Sequence, residues 1–180
     1  MALVLPGILS LLQHLDTFRK DPEAYRPKKC PGCSHGILWC HGFYTRKADR
    51  SDMNEALDPV PIPRFFCPDC RSTCSMLPEC LPARSWYLWQ VRQITFLLLL
   101  AGNSIGRTIS ANGSRACRQT VQRWWRRFQD GSPLYSFHLR AHFPRLGRHD
   151  GFTDFWTNCL AFMPLSTVMR LLHEENVPVP

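Results

Sequence analysis

No aspartate or glutamate occurs between Gly102 and Gln129, although that stretch holds Arg107, Arg115, Arg118, Arg123, Arg126 and Arg127. A helix face without local counter-charge is not the mixed-sign surface of an ordinary solvated helix, and it calls for an anionic partner. Acid is scarce throughout the 180 residues, with 14 Asp and Glu against 22 Lys and Arg, a formal net charge of +8. The chain also lacks an apolar run of the roughly 20 residues that a membrane helix needs. Its strongest run, ITFLLLLAG, falls far short, so no membrane partner is expected. The N-terminal MALVLPGILSLLQHLDTF has no basic leader region or small-residue cleavage site, and Gln13, His14 and Asp16 interrupt it. It reads as an amphipathic helix in a cytoplasmic protein. Nine cysteines, an odd number, argue against a fully paired disulfide scaffold. No internal repeat or low-complexity tract is present.

What is there divides into four segments of a small α+β protein. Residues 1–27 give an N-terminal helix, with Ile8, Leu9, Leu12, Leu15 and Phe18 near helical spacing, and an irregular connection. Residues 28–83 hold seven of the nine cysteines and seven of the fifteen prolines, around the β-like runs ILWCHGFYTR and VPIPRFF and a polar insertion at 47–58. Residues 84–130 read as three helices with tight turns. Residues 131–180 follow as a basic loop, to about residue 149, and a C-terminal helical segment interrupted before Pro164.

The second segment is too poor in aliphatic residues to hold itself together, and its cysteines supply a staple. Cys30-Pro-Gly-Cys33 and Cys67-Pro-Asp-Cys70 are two C-x-x-C knuckles separated by 33 residues. Two such turns complete a tetrahedral four-thiolate site for Zn2+, closed to catalytic water, and extended runs beside each knuckle suit a zinc ribbon of short antiparallel strands. A thioredoxin-like redox pair would need a C-x-x-C opening a helix in a βαβ context, which neither knuckle has. Cys40, His41, Cys74 and Cys80 are rival ligands, and three cysteines with His41 would also be chemically acceptable. Cys74 and Cys80 lack a paired knuckle and read as small apolar core residues.

In SRACRQTVQRWWRRF, Cys117, Val121, Trp124, Trp125 and Phe128 fall on one helical face, with Ser114 available as the cap and Asn112-Gly113 as the preceding turn. The shorter SIGRTISA precedes it, capped by Ser104 or Asn103, and the apolar stretch 85–101 would support both. Short helix, Gly-containing turn and longer basic helix make the helix-turn-helix layout, whose second helix lies in the major groove of double-stranded DNA. Arg115, Arg118, Gln119 and Gln122, near its start, are nominated for base edges. Arg123, Arg126 and Arg127 are nominated for phosphates, with Arg107 and Arg92 adding charge nearby. Trp124 and Trp125 belong to the apolar stripe before they could stack on bases.

The stretches DPEAYRPKKCPGC, LWCHGFYTRKADR, DPVPIPRFFCPDCRSTCSMLPECLPARSWYLW and QTVQRWWRRF resemble a bacterial mobile-element family, the zinc-ribbon plus helix-turn-helix proteins related to the N-terminal parts of insertion-sequence transposases. The resemblance runs from about Asp21 to the end. It implies a nucleoid-associated accessory protein that recognises element ends or target DNA beside a separately encoded DDE-type transposase, with an AAA+ ATPase as a further partner. A full transposase would continue into a domain with three spaced carboxylates, whereas after residue 130 only Asp150, Asp154, Glu174 and Glu175 occur. No enzyme activity is therefore expected. His35, His41, His138, His142 and His149 raise a nuclease, but none forms a motif with a carboxylate, and HLRAHFPRLGRHD reads as a basic loop near phosphate. The apolar density of GFTDFWTNCLAFMPLSTVMRLLHEE suits either a homo-oligomer or partner contact or the core of the helical module. A stand-alone transcriptional regulator and a protein–protein adaptor are the alternatives to a transposition factor.

Overall fold

The structure, a computed structural model, describes residues 2–47, 59–83, 85–112 and 116–179. Among them are six α-helices and a four-stranded sheet, an α+β architecture. The chain separates into two compact units, the first ending at Leu88 and the second beginning at Trp89. Most of the polar insertion, from residue 48 to 58, lies outside the described residues.

In the first unit, β1 (Ala2–Leu5), β2 (Trp39–Arg46), β3 (Val60–Phe66) and β4 (Thr73–Pro78) form one sheet in the order β1-β4-β3-β2. β2, β3 and β4 pair antiparallel, while β1 runs parallel to β4 with Ala2 opposite Ser75 and Leu5 opposite Pro78. The continuous N-terminal helix is thus corrected to a strand followed by a shorter helix, α1 (Leu11–Lys20). Pro6-Gly7 breaks the chain between them, and the Ser10 side chain caps α1 by accepting from the Gln13 amide at 3.1 Å. The new start rotates the buried face: Leu11 and His14 face inward, while Leu9 and Leu12 are 51% and 64% exposed.

His14 does what an apolar residue would not. Its ring is fully buried, with Nδ1 2.5 Å from the Tyr25 hydroxyl and Nε2 2.7 Å from the Pro61 carbonyl. A neutral ring satisfies both, Nε2–H donating to the carbonyl and Nδ1 accepting from the hydroxyl. Pro61 and Pro63 carry no N–H, and β4 pairs with β3 only over Arg64–Phe66, beyond both prolines. On the α1 side of the sheet, Tyr25, Leu38, Phe65, Cys74 and Met76 pack with Cys30 and Cys67 into the unit's core.

The second unit is helical: α2 (Trp89–Leu100), α3 (Ile105–Asn112), α4 (Arg118–His142), α5 (Phe152–Phe162) and α6 (Leu165–Glu174). α2 ends where Gly102, at φ +83°, lets its own amide reach the Leu99 carbonyl and the Asn103 amide reach that of Leu98, a reversal of 3.0 and 3.1 Å bonds. Asn112 closes α3 and donates to the Thr95 hydroxyl at 2.7 Å, tying α3 to α2.

α4 replaces the loop expected after residue 130. It runs 25 residues, through Gly131 and Pro133, because tertiary packing outweighs local propensity. Phe128, Ser132, Tyr135 and Leu139 recur on its buried face. Phe128 stacks on Phe96 at 4.3 Å and meets Trp156 at a tilt at 4.4 Å, and Trp156 Nε1–H donates to the Ser132 hydroxyl at 2.6 Å. Pro133 points outward, so the helix loses one backbone bond without a core clash.

Two outcomes test these elements. Burial holds the His14 pKa below its ordinary 6.5, so folding excludes a proton that the unfolded chain takes up. Its stabilising contribution is complete above pH 6.5 and is lost as pH falls towards the lower folded value. The slope is at most about 1.4 kcal/mol per pH unit and should disappear in His14→Gln, as read from urea midpoints between pH 5 and 7.5. In α4, Gly131→Ala should destabilise by about 1–3 kcal/mol in thermal melts, although alanine is the better helix former, because the added methyl runs into the Tyr135 ring.

Candidate metal centre and basic helix face

The two knuckles are built alike. Pro follows the first cysteine in each, and the residue after the second cysteine turns left-handed: Ser34 at φ 63° and Arg71 at φ 56°. Each turn is closed by the first cysteine's amide, Cys30 N–H donating to the His35 carbonyl at 2.7 Å and Cys67 N–H to that of Ser72 at 2.9 Å. Cys67 follows β3 directly, and Leu38 anchors the first knuckle in the core just before β2. The sheet therefore delivers both turns to the same end.

There the Sγ atoms of Cys30, Cys33, Cys67 and Cys70 all lie within 4.8 Å of one another, with Cys30–Cys70 and Cys33–Cys67 each at 3.6 Å. Metal–sulfur bonds of about 2.3 Å in a tetrahedron require sulfurs about 3.8 Å apart, so the four cysteines can hold a metal ion. No other group of three or more His, Cys, Asp or Glu side chains among the described residues brings its ligand atoms so close.

The surroundings favour thiolate at chosen positions. Amides of Gly32 and Cys33 aimed at the Cys30 sulfur draw its pKa down to about 6. The Ser72 hydroxyl, 2.9 Å from the Cys70 sulfur, with the Ser72 amide, lowers that thiol too. At Cys33 the His35 amide pulls the same way but is outweighed by burial and by the neighbouring sulfurs, and its pKa rises to about 12. Four sulfurs so close cannot all be anionic unless a cation shares their charge. Ser34, Arg71 and Ser72 escaped the sequence reading; the matching position after each C-x-x-C was the available signal.

The rival ligands separate. Cys74 is buried in the core, and Cys80 is buried with its pKa pushed up to about 12 by desolvation. Cys40 is exposed on β2, and the His41 ring lies against Phe66 at 5.9 Å between centroids.

Comparison with protein-family models, with curated proteins and with solved structures returns no match.

In the second unit, Arg107 is exposed on α3, and Arg118, Gln119, Gln122, Arg123, Arg126 and Arg127 are exposed over the first three turns of α4. Arg115, Gly113 and the Ser114 cap lie outside the described residues. On the inner side of α4, Val121, Trp124 and Phe128 are buried, and the half-buried Trp125 lies against Phe96, Phe128 and Phe152. Cys117 departs from the expected stripe: it is the exposed N-cap of α4.

Arg92 also departs from its expected place, on the basic surface. It is 5% exposed, between the rings of Trp89 and Trp124 at 4.9 and 5.0 Å, and burial followed by repulsion from Arg127 lowers its pKa to about 10. His138 and His142 lie one turn apart on α4, not in a basic loop, and both face the Glu175 carboxylate beyond α6. Hydrogen bonds from His142 first, opposed by slight desolvation, and then from His138 hold that carboxyl below its usual range. Among the described residues, no helix is long and apolar enough to cross a membrane.

Elemental analysis should find one thiophilic metal ion per chain, absent from Cys30→Ser. A chelator should unfold the sheet unit while the helical unit keeps its circular dichroism, and folding of the sheet unit unaltered by the chelator would remove the metal's structural role.

Proposed function

We propose that the chain is a zinc-dependent DNA-binding accessory protein of a bacterial transposon, its first unit a zinc ribbon and its second a helix-turn-helix module. The observation that carries the DNA reading is the division of α4. Six polar side chains, Arg118, Gln119, Gln122, Arg123, Arg126 and Arg127, face solvent, while the intervening aromatic residues fix the helix to its unit. Exposed arginine suits phosphate, and the first three turns of α4 hold no carboxylate, Asp130 coming one turn beyond Arg126 and Arg127; Arg and Gln near a helix start have the donor patterns that read guanine and adenine edges. Five residues separate α3 from α4, close to the spacing of a helix-turn-helix.

Zinc is the metal that the donor set fits best. Four thiolates in a closed tetrahedral set are soft ligands with no open position, an arrangement that stabilises a fold and does not activate water. In this reading the metal holds the knuckles, and Cys30, Cys33, Cys67 and Cys70 do no chemistry. The setting in transposition, with a DDE-type transposase and an AAA+ ATPase as partners, rests on the order of the ribbon, the linking segment and the basic helix, which resembles the mobile-element proteins.

Arg126→Ala with Arg127→Ala should weaken duplex binding uniformly across sequences and flatten the dependence of log K on log salt by about one unit per lost phosphate contact. Arg118→Ala should cost about 1–3 kcal/mol and relax preference at one base pair. Electrophoretic shifts on the element's terminal repeats and on the gene's own promoter check the setting: preference for the promoter would make the protein a regulator. Unchanged salt slopes would defeat the phosphate role of α4.

A further inference from the structure

The sheet carries a feature that duplex recognition by α4 leaves unused. On the side of β2 and β3 away from the α1 core, Trp39 sits opposite Phe66, their ring centroids 6.3 Å apart, and His41 packs on Phe66 at 5.9 Å. Trp39 is 57% exposed, and Phe66 is only partly covered. Arg64, two residues along β3 from Phe66 and so on the same side, reaches the Thr73 hydroxyl at 3.4 Å across the sheet. A bulge between Cys40 and Phe43 shifts the next aromatic, Phe43, to the other side against Phe18. Farther along, Arg46 donates to the Pro82 and Ser85 carbonyls, where Val60 and Ile62 are fully buried. The aromatic ledge is open at the metal end and closed at the other.

We infer that this ledge, Trp39, His41 and Phe66 with Arg64, binds unpaired bases of single-stranded DNA. The strands β2, β3 and β4 contain no carboxylate, and their charged side chains are arginines. Asp69, in the adjoining knuckle, is held by His35 at 3.2 Å. The ledge thus combines flat, wet aromatic rings with positive charge and no acid of its own. Every base has a π-face to stack on such rings, and the guanidinium meets the phosphate that follows. A duplex buries those faces within its own stack, so the ledge selects unpaired strand whereas α4 faces paired DNA. A second copy docking on β2, an edge strand of the sheet, is the competing occupant.

Anisotropy of a fluorescein-labelled oligothymidylate of about 12 nucleotides with the zinc-loaded full chain tests the inference. Trp39→Ala should weaken single-strand binding at least about fivefold, Trp39→Phe should hold it near the parent value, and the affinity for a blunt duplex should be unchanged in both. Trp39 is exposed, and retained zinc content establishes that each variant is folded. The inference is overturned by absence of single-strand binding, by equal single-strand affinity of Trp39→Ala and the parent chain, or by self-association in sedimentation that Trp39→Ala abolishes while single-strand affinity stays. Because Arg126 and Arg127 belong to the other unit, failure of the ledge and failure of the α4 reading give separate results.

Discussion

Four sulfurs converging at one end of the sheet are the constraint on which the first unit depends. Cys33 and Cys67 are separated by 33 intervening residues, and closing that loop costs about 3 kcal/mol of chain entropy beyond a constant. Apolar burial at this end is modest: two of the core members around Phe65 are Cys30 and Cys67 of the four-cysteine cluster. The knuckle amides and the Ser72 hydroxyl already point at sulfur, which lowers the cost of gathering negative charge there. Once the knuckles are joined, β2 and β3 are held in register from Trp39–Phe66 to Arg46–Val60, and β4 must follow from Ser72. The same register puts Trp39 beside Phe66, so the cysteine end of the sheet also builds the aromatic ledge.

The helical unit solves its problem differently, with aromatic packing in place of converging cysteines. Phe128 lies against Phe96, Trp125, Phe152 and Trp156, rings contributed by α2, α4 and α5. This packing fixes the rotation of α4 about its own axis, and that rotation decides which arginines face water. Arg92 shows the cost of the scheme: one guanidinium is drawn inside among tryptophans, where repulsion from Arg127 adds to desolvation. The outer arginines of α4 are instead exposed to water.

Where the physics is local, the sequence carries its own signal. The paired C-x-x-C turns marked the cysteines that gather, and the runs WCHGFYTR and VPIPRFF became β2 and β3. What escaped depends on partners distant in sequence. β1 exists because Ala2–Leu5 finds β4 some seventy residues away, a pairing that no period in MALVLPG announces. Asp130-Gly131-Ser132-Pro133 has turn chemistry, yet α4 continues through it because Ser132 meets Trp156 and Tyr135 reaches the Pro178 carbonyl. Glycine 131 is there to admit the Tyr135 ring, not to end a helix. Arg92 is drawn off the expected basic surface by Trp89 and Trp124, and Cys117 leaves the expected apolar stripe because the helix begins only at Arg118.

Tryptophan illustrates why composition could not separate the surfaces. Trp124 on α4 and Trp156 on α5 are buried, whereas Trp39, on an edge strand that is exposed along nearly its whole length, is not. A buried ring contributes apolar area whatever its partner, while an exposed ring beside arginine leaves apolar surface in water that only a stacking ligand or another chain would cover. Nothing in the strand sequence forces that exposure; a β-branched residue would pair as well at position 39. In the proposed reading, α4 and the ledge recognise different states of one polymer, paired and opened DNA. A protein that acts where a duplex is opened has use for both, and a regulator that only occupies an operator has use for one.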